Sequence, residues 1–201
     1  MLAKRANLTA ETIRNLTTKY SEFMKTKIFN SLGTNRAKLA YHAHKSFVRS
    51  GVNFATGVPC GVLKHIIRNL DNDRRILHIP VNRESEAVGL AAGAYFAGKT
   101  PIVYMQNSGL FAASNDIASL LIPYRIPVFF VVSYRGCRGE DAVQHLVTGR
   151  ATERLIRSFE LSFTVFEKHT YDLGALIDTM FRSMIKIKLP EFLLLKRGWC
   201  V

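Results

Sequence analysis

Apolar positions along the chain follow two rhythms. Short continuous apolar runs, the mark of strands buried on both faces, alternate with stretches whose apolar residues recur three and four apart, the mark of amphipathic helices. A weakly amphipathic stretch at 8–29, ending at Gly33, predicts a peripheral helix or arm. Leu39, His42 and Phe47, with Ala40 and Ala43, predict a helix over 36–50 closed by Gly51. Strands are predicted at 52–55, 76–81, 101–105, 127–133, 162–166 and 191–196. Helices are predicted between them at 60–70, 84–97, 114–124, near 152–160 and at 171–187. Six strands alternating with helices give an α/β fold: a doubly wound, six-stranded, mostly parallel sheet with helices on both faces. The chain divides into an N-terminal extension, 1–35, expected to be helical, and one domain, 36–201.

Within this pattern one stretch is unusual. The helix predicted at 84–97 carries Ala87, Gly89, Ala91, Ala92, Gly93, Ala94 and Ala97, side chains small enough to admit a close neighbour. Glu84 and Glu86 open it, where acids complement the helix dipole. The strand that follows runs straight into Gln106, Asn107, Ser108 and Gly109, which predict a polar loop. These residue types satisfy turns, and they also suit hydrogen bonding to a polar ligand. Thr56-Gly57-Val58-Pro59 predicts a strand-to-helix turn. Ligands of open α/β sheets bind at the carboxyl ends of strands, which locates the candidate site among these ends. A third loop, 134–140, carries Arg135 and Arg138 between glycines and is followed by Gln144 and His145. Two arginines and a histidine are suited to a small anion.

Composition narrows the picture further. The chain has 201 residues, 48% of them hydrophobic, enough for one full core. No apolar run approaches a membrane span, and no apolar signal segment opens the chain, so a cytoplasmic location is expected. Cys60, Cys137 and Cys200 lack metal-ligand spacing and read as reduced thiols. Of the net charge of +13, +8 lies in residues 1–50, so the basic excess belongs mostly to the N-terminal region. No aromatic interleaving or finger motif accompanies it; the expected role is a solvated or docking face, with neither nucleic acid nor membrane as partner. The sequence contains no GxGxxG, Walker, GxSxG or HExxH motif.

Several motifs occur together in one order: Gly57-Val58-Pro59-Cys60, Arg83-Glu84-Ser85-Glu86, Met105-Gln106-Asn107-Ser108-Gly109, Arg135-Gly136 with Gly139-Glu140, and Gln144-His145 with Gly149. In these the chain resembles, over residues 37–198, the pyrimidine-binding domain of the thiamine diphosphate-dependent 2-oxo acid decarboxylases that act on sulfopyruvate and phosphonopyruvate. The resemblance implies that Glu84 is catalytic, its carboxyl exchanging a proton with N1′ of the aminopyrimidine. It implies cofactor contacts from Gly57, Val58 and Pro59, and from Gln106, Asn107 and Ser108 with Glu84. Substrate contacts are implied for Arg135, Arg138, Gln144 and His145, and no metal ligand is implied in this chain. Magnesium and the cofactor's diphosphate are assigned to a separate beta subunit, in a homo- and hetero-oligomer that takes an anionic 2-oxo acid. Where the family usually continues with Gly-Asn, this chain has Phe111-Ala112. That departure leaves a second reading open, a non-catalytic binding or regulatory module retaining the fold.

Overall fold

The computed structural model describes residues 35–137, 142–166 and 172–196. The expected arm at 8–29 and Arg138 lie outside them. The chain enters through α1 (Asn35–Arg49) and forms β1 (Phe54–Gly57), then a 3₁₀ turn, Gly61–Leu63, that leads into α2 (Lys64–Asp71). Then come β2 (Leu77–Pro80), α3 (Glu84–Phe96), β3 (Pro101–Gln106) and α4 (Asn107–Ala112). A short helical segment, Ser114–Asp116, and a π-helical turn, Ile117–Leu121, lead to β4 (Phe129–Tyr134). After the 3₁₀ turn Val143–His145 the chain completes α5 (Leu146–Ser158), β5 (Ser162–Val165), α6 (Leu173–Ile187) and β6 (Glu191–Lys196).

The six strands form one sheet in the order β2-β1-β3-β4-β6-β5, and every pairing is parallel. The sequence explains which strands are central. PIVYMQ, FFVVSY and EFLLLK are near-continuous apolar runs, and β3, β4 and β6 are buried almost throughout. LHIP and SFTV are the edges and stay partly exposed. Alternate residues feed two cores. Ile102, Tyr104, Phe129, Val131, Leu193 and Leu195 pack with α1, α2 and α6, where Phe129 stacks on Phe181 at 4.4 Å between ring centroids. Val103, Met105, Phe130, Val132, Phe192 and Leu194 face α3, α4 and α5, and there Phe130 stacks on Phe192 at 4.6 Å.

The structure departs from the sequence expectations in several places. β1 runs Phe54–Gly57 where 52–55 was expected, so Thr56 and Gly57 lie in the strand instead of the turn. The expected polar loop after Met105 is a helix: Gln106 is the last extended residue and α4 starts at Asn107. The helix expected from 60 starts at Gly61 as a 3₁₀ turn, leaving Cys60 in the strand-end loop. The 114–124 helix is interrupted by its π-helical turn. The helix expected near 152 already begins at Leu146 and contains Gly149, because a methyl at Gly149 would strike the Gly136 carbonyl, so the glycine lets the helix back onto that loop.

At the amino end of β6, Glu191 is 4% exposed, and among the described residues its Oε2 has no hydrogen-bond partner. Burial pushes its carboxyl up from 4.5 to about 7. A carboxyl raised on folding stabilises nothing below its unfolded pKa and weakens the fold as pH climbs from the carboxylate range through the folded value. The loss is complete above that value and amounts to on the order of 3 kcal/mol. Glu191→Gln is therefore expected to raise the melting temperature at pH 8.5 and to change it little at pH 4, as read by thermal denaturation at the two pH values. A variant equally or less stable at pH 8.5 would show that the carboxylate is satisfied in the fold.

Candidate active site

β1 has β2 on one side and β3 on the other, so the chain's order across the sheet reverses at β1 and β3. The crevice at the carboxyl ends of such strands is the usual ligand site of an open α/β sheet. Here it is a cleft of about 450 Å³ lined by Val58, Pro59, Cys60, Gly61 and Val62 after β1, Glu84 after β2, Gln106 and Ser108 after β3, and Arg135 after β4.

Glu84 is the first residue of α3, and with Glu86 it places acid in the first turn. Its side chain lies directly over Gly109 of α4: a methyl there would overlap the Glu84 carboxyl and Cγ. Small size at position 109 thus fixes where the acid can sit. Gln106 donates from Nε2 to Ser108 Oγ at 2.8 Å, and the same nitrogen lies 3.4 Å from Nδ1 of His145. Cys60 Sγ reaches Ser133 Oγ at 3.2 Å and so ties the loop after β1 to the end of β4.

Beneath these groups sits Asn107, fully buried. Its Oδ1 accepts from the Arg135 backbone N–H at 3.1 Å, and its Nδ2 donates to the Arg135 carbonyl at 2.9 Å. The same Nδ2 donates to Thr152 Oγ1 at 2.9 Å, and the Thr152 hydroxyl donates to the Thr148 carbonyl. The next turn of chain is held by Gly136, whose φ of +77° suits glycine and whose Cα and carbonyl back against Gly149. The Tyr134 hydroxyl donates to the Gly149 carbonyl at 3.1 Å and to Glu153 at 3.3 Å. Burial first, and then the Glu153 carboxylate, raise this phenol above its ordinary value.

Of the residues singled out by sequence, Val58, Pro59, Glu84, Gln106, Ser108 and Arg135 are together in the cleft wall. His145 stands behind Gln106, and Gln144 is exposed outside the wall. Gly57 is buried in β1, where a side chain would collide with the Tyr104 carbonyl. Asn107 is committed to Arg135 and Thr152 instead of facing the cleft. Phe111 is half-buried in α4 and takes no part in the lining. Cys60, Gly61 and Val62 were missed as lining residues; the signal was Gly61, whose position inside an expected helix marks a later helix start. Among the described residues, no group of three or more His, Cys, Asp or Glu is arranged to hold a metal ion.

No protein-family model matches the chain. Over 114 residues it is 45% identical to sulfopyruvate decarboxylase subunit alpha of Methanothermobacter thermautotrophicus, covering 57% of this chain and 69% of that protein. Over 160 residues it is 38% identical to the subunit of the same name from Methanocaldococcus jannaschii, covering 79% of this chain and 92% of that one. The chain belongs to the sulfopyruvate decarboxylase alpha-subunit family. Within reach of this alpha-subunit family is the phosphonopyruvate decarboxylase of Streptomyces viridochromogenes, 34% identical over 149 residues. That match takes 74% of this chain and 38% of the longer protein. The fold is shared with a 2-oxoglutarate:ferredoxin oxidoreductase from Magnetococcus marinus, with a TM-score of 0.59 at 13% identity. The likeness covers 81% of this chain and 29% of that one.

The Asn107 bonds generate a test of what shapes this alpha-subunit cleft. Asn107→Ala leaves the Arg135 N–H without its buried acceptor, and the expected cost is about 2 kcal/mol in urea denaturation. Gln106→Ala, altering a half-exposed amide in the cleft wall, is expected to stay within about 0.5 kcal/mol. The reverse ranking would remove Asn107 from its bracing role.

Proposed function

We propose that this chain is the pyrimidine-binding subunit of a thiamine diphosphate-dependent decarboxylase, converting 3-sulfopyruvate or 3-phosphonopyruvate to the corresponding aldehyde and carbon dioxide. Family membership supports the decarboxylase class. The observation that carries the finer reading is the Glu84 carboxyl, seated over Gly109 in the wall of a cleft that also presents Gln106, Ser108 and Arg135. The acid has this seat because Gly109 beneath it carries no side chain.

Thiamine diphosphate supplies, when bound, the electron sink that allows carbon dioxide to leave a 2-oxo acid. The chain's own residues do the rest of the work assigned to this half of the site. Glu84 holds and moves a proton at N1′ of the aminopyrimidine. Gln106 and Ser108, already bonded to each other, offer an amide and a hydroxyl to polar atoms of the ligand, and Val58 and Pro59 close the apolar side. Arg135, its backbone fixed by Asn107, meets an anionic group of the substrate, with His145 behind Gln106 as its neighbour. In this reading magnesium and the diphosphate belong to a second subunit, as the alpha-subunit names of the relatives suggest. The exposed face of α3, with Gly89, Leu90, Gly93 and Phe96, is available to a partner domain. The non-catalytic alternative rested on Phe111-Ala112, and Phe111 stands outside the cleft wall.

The test is a decarboxylation assay of the complex reconstituted with its second subunit, on both substrates, beside each subunit alone. Activity is expected only from the complex. Glu84→Gln should keep the fold, by circular dichroism and melting temperature, while lowering turnover by roughly 10²–10⁴-fold, because an amide does not exchange the proton. A Gln variant that works at nearly the full rate would defeat the assignment, and so would turnover by this chain alone.

A further inference from the structure

The turn Pro59-Cys60-Gly61 walls a second hollow, of about 370 Å³, whose other side is formed by Lys64, Ile67, Arg68 and Asp71 of α2. The hollow and the cleft share those three turn residues, so they open on either side of one stretch of backbone. Lys64 and Arg68 are four apart, hence neighbours on one helix face, and both are exposed. Among the described residues neither side chain forms an ion pair or a hydrogen bond. The hollow's one carboxylate is already engaged: Asp71 Oδ1 lies 3.2 Å from His78 Nδ1, and His78 Nε2 lies 2.8 Å from the Tyr104 hydroxyl. The surroundings add positive charge. The His65 imidazole is held below its ordinary value by burial and then by the charges of Lys64, Arg36 and Arg68. The cleft itself carries one acid, Glu84, and one cation, Arg135.

A dianionic 2-oxo acid entering this cleft approaches a carboxylate, and one arginine gives limited attraction against it. We propose that Lys64 and Arg68 are specificity-determining residues that attract the acidic tail of a dianionic 2-oxo acid toward the cleft from the adjoining hollow. The proposal rests on the decarboxylase reading above and adds where substrate selection by charge takes place. Cations beside a site act on capture more than on chemistry, and their pull is screened by salt. Their signature is therefore a change in kcat/KM at constant kcat.

The experiment uses the two-subunit complex and the double variant Lys64→Ala/Arg68→Ala, which replaces two exposed helix residues by the best helix former and leaves the fold in place. Steady-state kinetics are measured with 3-sulfopyruvate and 3-phosphonopyruvate, and with pyruvate as the neutral-tailed control, read as substrate or as competitive inhibitor, across a range of ionic strength. At low salt the variant is expected to lose about tenfold in kcat/KM on the dianionic acids and less than twofold on pyruvate. The kcat should be unchanged and the difference should fade at high salt. An equal loss on all three acids, no loss on any, or a salt-independent loss in kcat overturns the proposal. A weakened thiamine diphosphate affinity with unchanged substrate selection overturns it too, by assigning these cations to the cofactor. A wild-type complex that decarboxylates neither dianionic acid defeats the decarboxylase reading itself, before any variant is compared.

Discussion

The Asn107 amide joins the ends of β3 and β4 and the middle of α5 through one set of hydrogen bonds. Side chains on both neighbouring strand ends depend on it. On one side it stands between Gln106 and Ser108, the polar wall of the cleft; on the other it fixes the backbone from which Arg135 projects. A fully buried amide is stable only when its donors and acceptor are paired, and here both are used. The helical start of α4 is part of the same arrangement. Once the side chain bonds across to Arg135, the chain is free to coil at once, and coiling brings Gly109 beneath Glu84.

The topology decides which residues can meet at this brace. With all strands parallel, every carboxyl end lies on one edge, and the reversal at β1 and β3 leaves that edge open where their following segments diverge. Glu84 arrives there because α3 starts four residues after β2 ends, so the acid stands beside the loop of β1. Its placement also requires a neighbour without a side chain, which Gly109 provides. Two close contacts at glycines, the Glu84 side chain over Gly109 and Gly136 against Gly149, therefore fix the seat of the acid and the course of the loop after β4.

Much of this was legible in the sequence, for reasons that differ by element. The central strands announce themselves because burial on both faces demands the runs seen in β3, β4 and β6, and Glu84 was conspicuous as an acid between a strand end and a helix of small residues. Asn107 was legible as a polar residue at a strand end, yet its direction was not. An asparagine that grips a neighbouring strand and one that faces a ligand have the same local sequence, and only the register of β3 against β4 separates them. The structural use of Gly149 was likewise not legible from local sequence. Glycine ordinarily weakens a helix, but here its lack of a side chain is what allows α5 to touch Gly136. Glu191 looked like an ordinary strand residue because its burial comes from neighbours brought in by β4 and β5.

The order of the strands also arranges the cleft's charges. Glu84 follows β2, Gln106 and Ser108 follow β3, and Arg135 follows β4, so the acid and the cation come from elements on opposite sides of β3. A neutral amide and hydroxyl come from the intervening strand end. The Gln106–Ser108 bond keeps those neutral side chains turned toward each other. The cleft wall thus presents an acid, a neutral amide and hydroxyl, and a cation, each from a different strand end. This set is what the proposed function draws on, with proton exchange assigned to the acid and a fixed charge to the cation. In the proposed scheme the exposed cations of α2, in the hollow on the other side of the β1 loop, act on an approaching anion and stay apart from the proton exchange assigned to Glu84.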